Sequence, residues 1–299
     1  MLRGERFNKA DRVIRIGFWS NAVLMAVKLA AGHYGHSGAV FADGIESACD
    51  FIAIGLTIIA LKVGRKPCDE DHPYGHGKVE SLSAILVSLV ICGTGGWVLY
   101  GAASTVREGS YEAPALIAVV AAAATIVIKE SLYRYSMRVG GSLGSPALLA
   151  IAKDHRKDAV TSIATLVGVG GAYLGVGIMD PIAAGVTSFF IFHIGIHTFR
   201  TSAHELMDGQ PEQEILDAIS RLAGSVEGVD QVHEIRARHS GQYLIVDLKL
   251  DMPPDMTVKH SHDIATEVKK RIFDHFNNVG DVMIHINPSD EPHEDLIRL

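Results

Sequence analysis

Six stretches of mostly apolar residues follow one another before residue 200, at 12–34, 38–63, 79–103, 114–136, 146–175 and 180–200. A helix needs ~20 such residues to cross a hydrocarbon core ~30 Å thick, so the pattern predicts six membrane spans with both flanking segments on one side. Small residues recur in the fifth span and the turn beyond it (GVGGAYLGVG), which predicts close helix packing in lipid. Beyond Pro211 the pattern shortens. EQEILDAISRLAGS and VKHSHDIATEVKKRIFDHF carry helical spacing, while Gln231–Arg238, Tyr243–Asp251 and DVMIHINP alternate as strands do. The order α-β-β-α-β predicts a small α+β layer, one sheet covered by two helices. The expected organisation is a tail over 1–11, a six-span helical membrane domain over 12–203, a linker over 204–210, a soluble domain over 211–288 and a frayed tail over 289–299.

Composition fits that mixture. The chain is 48% hydrophobic yet 20% charged, with a mean hydropathy of +0.21. The formal net charge of -7 argues against a nucleic-acid partner. Cys49, Cys68 and Cys92 are widely spaced and form no CxxC, so neither a disulfide framework nor a thiolate zinc site is indicated. The first residues, MLRGERFNKADR, lack the apolar centre of a signal peptide and are expected to stay on the mature protein. Arg3, Arg6, Lys9, Arg12 and Arg15, then Lys62, Arg65, Lys66 and Lys78, then Arg134 and Arg138 fall on one side of the six spans. Of the opposite connections, only the one near Arg107 carries such a charge, so both termini are expected in the cytoplasm. No GxxxxGK[ST] loop, nucleophile elbow or HExxH motif is present, and the glycine run in the fifth span lacks the strand of a dinucleotide site. ATP-driven and hydrolytic chemistry are therefore unsupported.

The informative exceptions to the apolar pattern are carboxylates. Glu46 and Asp50 lie in the second span, Asp154 and Asp158 in the fifth, each pair four residues apart and so on one helix face. An ionised group at the middle of a bilayer costs at least ~2.5 kcal/mol. A divalent cation, or protons in its place, is the partner that chemistry suggests. Carboxylate oxygens are hard ligands and favour Mg²⁺, Ca²⁺ or Mn²⁺, with Fe²⁺ as an extension, whereas zinc more often takes nitrogen or sulfur. Asp43, one turn earlier in the second span, reads as a span-end residue reaching to the interface. In the following loop, PCDEDHPYGHGK, Asp69, His72 and His76 form a mixed imidazole and carboxylate set suited to zinc, iron or manganese. The soluble segment spreads His233, Asp247, His260, His262 and His285 over separate elements, and no local spacing joins them. A soluble domain of about 80 residues has a modest core, so pairing with a second copy is expected.

With these six spans, the motifs SGAVFADGIESACD, DEDHPYGHGKVES, DHRKDAVTS and ELMDG, and the tail phrases VHEIRAR, VDLKLDM and HDIATEV, the chain resembles the cation diffusion facilitator family over nearly its whole length. The resemblance implies no enzyme and no organic cofactor. It implies a homodimer in a bacterial inner membrane that exports a divalent metal in exchange for protons, with a cytoplasmic ferredoxin-like domain that also binds metal. Carried over by residue, the transport site falls on Glu46, Asp50, Asp154 and Asp158, the loop site on Asp69, His72 and His76, and the cytoplasmic site on His233, His262 and His285 with Asp247 beside them. Lys78 and Asp208 match a charge pair of the family. Zinc members usually place histidine where Asp154 stands, and histidine or aspartate where Glu46 stands, so the departure tilts the expected metal to Mn²⁺ or Fe²⁺. Lys249 and Asn287 replace residues that commonly ligate in the tail. Stretches such as GSYEAPALIA are also similar to magnetosome members, so an iron-loading variant and a non-transporting scaffold are the alternatives.

Overall fold

The structure, a computed structural model, describes residues 3–109, 111–143 and 145–290, with side chains from Lys9 onward except that of Ala147. Six long helices come first: α1 (Arg3–Tyr34), α2 (Gly38–Gly64), α3 (Val79–Glu108), α4 (Leu116–Leu143), α5 (Pro146–Tyr173) and α6 (Met179–Leu206). The α-β-β-α-β segment follows as α7 (Gln213–Gly224), β1 (Gln231–Ser240), β2 (Tyr243–Met252), α8 (Val258–His275) and β3 (Val279–Pro288). The expected class holds. Helix limits exceed the apolar runs: α1 is helical from Arg3, so residues read as a tail continue the first span, and α6 reaches Leu206, inside the expected linker. Most of the expected 289–299 tail, from Glu291 on, lies outside the described residues.

Five of the long helices are apolar enough to cross a membrane by length and composition, and α5 is not among them. Its run Lys153, Asp154, His155, Arg156, Lys157, Asp158 is the reason. The chain divides into one compact unit of Met1–Gly55 with Leu86–Thr198 and another of Leu56–Ile85 with Phe199–Leu299.

Within the first unit, glycine controls how closely helices approach. A Cβ on Gly168 would lie 2.2 Å from Ala183 Cβ, and one on Gly171 would lie 2.2 Å from Met179 Sδ, so α5 and α6 touch through these two positions. The first turn of α2 has backbone donors without helical acceptors. Asp180, at the start of α6, supplies them: its carboxylate accepts from Ser37 Oγ at 2.5 Å and from Gly38 N at 2.7 Å. On α5, Ser145 caps through Leu148 N, with Pro146 at the first helical position.

In the second unit β1 and β2 pair antiparallel, β2 and β3 pair parallel, and β2 is central. The parallel step requires a crossover, which α8 supplies. Leu244, Val246, Leu248 and Leu250 alternate to one face of β2 and pack with Leu216 and Ile219 of α7 and Ile264, Val268 and Ile272 of α8. Asp247 and Lys249 alternate to the other face of β2.

Candidate metal centre

Among the described residues, no three of Glu46, Asp50, Asp154 and Asp158 bring ligand atoms within 4.8 Å of one another. Asp158 of α5 lies within electrostatic range of both Glu46 and Asp50 of α2. Glu46 and Asp158 are half-buried and Asp50 is exposed on the single chain. Asp154 is also exposed, one turn before Asp158, and its recorded electrostatic neighbour is His155. His155 turns away toward α1. Its ring is buried, a Cβ on Gly17 would lie 3.3 Å from its Nε2, and that nitrogen has no hydrogen-bond partner. The glycine makes room for the imidazole.

Asp43 differs from its sequence reading. It is buried against Lys28 of α1, with Nζ 2.9 Å from Oδ1 and side-chain exposures of 2% and 6% for the lysine and the aspartate. Lys28 also donates to Ser47 Oγ at 3.1 Å, and Ser162 of α5 donates to Asp43 Oδ2 at 3.3 Å. A residue reaching to the interface would need water at its carboxylate; this one is satisfied inside by an ammonium and a hydroxyl.

A second ammonium enters at the other helix. Lys129 of α4 donates to Asp158 Oδ2 at 2.6 Å and to Asn21 Oδ1 of α1 at 2.8 Å. Each acidic helix thus has one carboxylate held by a lysine from the helix before it in the chain. Sequence reasoning missed both lysines, although Lys28 stands alone in an apolar run, AVKLAAG, and Lys129 follows one, IVIKESL. Arg156 and Glu130 add a further ion pair between α5 and α4.

In the second unit, the loop residues converge as spacing suggested. Asp69, His72 and His76 place ligand atoms within 4.8 Å of one another. Asp69 Oδ1 accepts from the backbone N–H of His72 at 2.7 Å, which is the main cause holding this exposed carboxyl below its ordinary range. Asp69 Oδ2 faces His76 Nε2 at 3.4 Å, and the two imidazole rings lie 4.5 Å apart. His76 Nδ1 is buried without a partner. An oxygen and imidazole set with one orphaned nitrogen fits a divalent transition metal. Residues of this loop and of the sheet, including Lys66, Tyr74, His76, Ser240, Gln242 and Asp281, line a cavity of about 630 Å³.

The tail residues converge less. Register sets Lys249 beside His285 and Asp251 beside Asn287, while Asp247 lies opposite Met283. His233 sits at a bulge in β1, with Nδ1 3.4 Å from Asp251 Oδ2. Lys249 Nζ pairs with Glu234 Oε2 at 2.6 Å and so holds that carboxyl below its ordinary range. Among the described residues, His233, Asp247, His262 and His285 do not form a group of three converging ligands within one chain. The charge pair is formed: Lys78 Nζ lies 2.7 Å from Asp208 Oδ1, with Arg238 at 3.6 Å from the other oxygen. Asp208 takes φ +60° at the turn that ends α6.

Comparison with known proteins agrees with this division. The sequence matches the description "Cation efflux transmembrane domain" over residues 14–207 and "Cation efflux protein, cytoplasmic domain" over residues 211–289. It is 35% identical to the manganese efflux system protein MneP of Bacillus subtilis, covering 96% of this chain and 99% of that one. It is 32% identical to the magnetosome protein MamB of Paramagnetospirillum magneticum, covering 93% and 94%. Metal tolerance protein 2 of rice is also 32% identical, covering 93% of this chain and 78% of that protein. With both domains matched in order across a multi-pass helical bundle and its α+β extension, the chain belongs to the cation diffusion facilitator family of metal efflux transporters.

Proposed function

We propose that this protein exports Mn²⁺ or Fe²⁺, in preference to Zn²⁺, from the cytoplasm in exchange for protons, as a homodimer in a bacterial inner membrane with both termini cytoplasmic. The reading is supported by the cation efflux match over both domains, together with Asp158 of α5 in electrostatic range of Glu46 and Asp50 of α2. Asp154, one turn along α5, is the fourth proposed ligand. An all-oxygen set favours the harder divalent ions, and the manganese efflux relative supports the same choice. In the cycle, clustered carboxylates that repel one another take protons when no metal is held. A divalent cation displaces those protons, so inward proton movement drives metal outward. Metal at Asp69, His72 and His76, and at a tail site using His233, Asp247, His262 and His285, acts as regulator by favouring one arrangement of the paired soluble domains. Iron loading of a specialised compartment is the second reading, favoured by the MamB relative.

The test is metal uptake into proteoliposomes under an imposed pH gradient, comparing Mn²⁺, Fe²⁺, Zn²⁺ and Cd²⁺. Wild type is expected to move Mn²⁺ or Fe²⁺, Asp50→Ala and Asp158→Ala to abolish flux, and Asp154→His to gain Zn²⁺. Flux without dependence on the pH gradient would overturn antiport. Zn²⁺ preference in wild type would overturn the ligand argument, and no flux of any metal would leave the scaffold as the better account.

A further inference from the structure

Lys129 lies 13 residues after Leu116 and 14 before Leu143, near the middle of α4. The apolar run ends at residue 136, roughly 10 Å along the helix from Lys129 at ~1.5 Å of rise per residue. Its side chain is only 5% exposed. An ammonium so placed requires acceptors inside the protein, and it has two of different character. Asp158 Oδ2, at 2.6 Å, is charged and belongs to the proposed transport site; Asn21 Oδ1, at 2.8 Å, is neutral and lies on α1. A divalent cation and Lys129 therefore claim the same carboxylate.

We propose that Lys129 is a tethered competitor for the transported cation: its ammonium holds Asp158 until a divalent metal takes that carboxylate, and is then retained by Asn21. The proposal rests on the reading of Asp158 as a transport ligand. Lys129 touches no metal in this scheme, since an ammonium has no lone pair to give. It instead sets how tightly the metal is held. Release needs a positive charge to return to Asp158, and a resident ammonium supplies one without diffusion from either side. Asn21 makes the displacement tolerable, because the ammonium keeps an acceptor when Asp158 is taken and is not left buried without one. An alternative role is orientation, in which Lys129 stays on Oδ2 and presents Oδ1 to the metal, as outer groups do at many metal sites. The two roles differ in sign: losing a competitor tightens metal binding, and losing an orienting group weakens it.

The experiment is Mn²⁺ binding to the full-length protein in detergent at pH 8, read by electron paramagnetic resonance of free Mn²⁺. The Asp50→Asn protein measures binding at all other sites and is subtracted. Lys129→Gln is expected to bind Mn²⁺ at least tenfold more tightly than wild type, and Lys129→Arg, which keeps the charge, within threefold of wild type. Asn21→Leu, which removes the second acceptor, is expected to bind at least threefold more weakly. Unchanged or weaker binding by folded Lys129→Gln overturns the proposal. If that variant does not fold, unchanged binding by Asn21→Leu overturns it, and weakened binding sustains it. Should Asp50→Asn and wild type bind identically, the transport-site reading itself fails, a result distinct from failure of the lysine alone.

Discussion

Replacing Asp43 with alanine strands the Lys28 ammonium in a site where that lysine is 2% exposed. At 2.9 Å and an effective dielectric of about 20, the attraction lost is about 6 kcal/mol. Restoring the desolvation cost of one ion offsets part of it, and breaking a buried pair by removing one member costs about 3–5 kcal/mol. Removing both members is different, because no buried charge then remains. Asp43→Ala and Lys28→Ala are each expected to destabilise by about 3–5 kcal/mol, whereas Lys28→Met with Asp43→Leu should lie within about 1 kcal/mol of wild type. Reversible unfolding in mixed dodecyl sulfate micelles, followed through Trp19 and Trp97, gives the four values of the cycle. The unfolded state in a micelle also finds partners for polar groups, which tends to lower such numbers, so a coupling energy near 3 kcal/mol is the working threshold. Additive single effects below about 1 kcal/mol would refute the burial argument. The same double variant should retain metal flux. If it does not, Asp43 belongs to the transport site and the separation of Asp43 from Glu46, Asp50 and Asp158 is wrong.

Gly168→Ala places a methyl 2.2 Å from Ala183 Cβ and should destabilise by about 1–3 kcal/mol, whereas Gly171→Ala meets the flexible Met179 side chain and should cost less; equal effects in the same unfolding assay would contradict this. Lys78→Ala breaks a pair whose members are each 44% exposed, so its effect at neutral pH should stay below about 1 kcal/mol. The Lys78 ammonium holds the Asp208 carboxyl below its ordinary 3.8, so its stabilising share is present above about pH 4 and is lost as pH falls through the lowered value. Lys78→Ala should therefore flatten the stability profile below about pH 4, and an unchanged profile would count against the pair. His72→Ala and His76→Ala should each remove one class of Zn²⁺ site in isothermal titration of the full chain, while Asp50→Asn leaves that class in place; survival of the class in either histidine variant would show that the loop does not bind metal.

The spans were legible because bilayer thickness imposes a length on any helix that crosses it, and Gly38–Gly64 lies within a residue of the apolar run that announced it. Helix ends beyond the lipid were not. Arg3 to Asp11 are mostly polar, so hydrophobicity falls silent while the helix continues. The carboxylates were found by the rarity of charge in apolar surroundings, and Lys28 and Lys129 carried the same signal. What spacing could not supply was their partners, since helical periodicity relates residues on one helix only, and these pairs join α1 to α2 and α4 to α5. Asp43 illustrates the consequence: its distance from Glu46 along the chain suggested the same face, and only the position of Lys28 gives it a different occupation. In the tail, the order of elements followed from the pattern, but the bulge at Val232/Glu234 and the pairing of Lys249 with His285 are matters of register, which local alternation does not fix.

The two lysines change what the acidic cluster asks of a cation. Lys28 and Asp43 form a neutral pair, which leaves the remaining charge to the groups around Asp158. Glu46, Asp50 and Asp158, when ionised, carry three negative charges, and Lys129 returns one. The balance is two for these groups, and three with Asp154, the fourth proposed ligand, also ionised, whether the ammonium rests on Asp158 or on Asn21. Asp154 is exposed, as Asp50 is, and histidine in its place would lower the charge of the set while adding a softer donor. Ligand chemistry and charge both act on the site: oxygen donors set hardness, while the lysine reduces the negative charge that a cation meets. On this account a neutral residue at position 129 shifts affinity for every divalent metal together, whereas histidine at position 154 shifts their order.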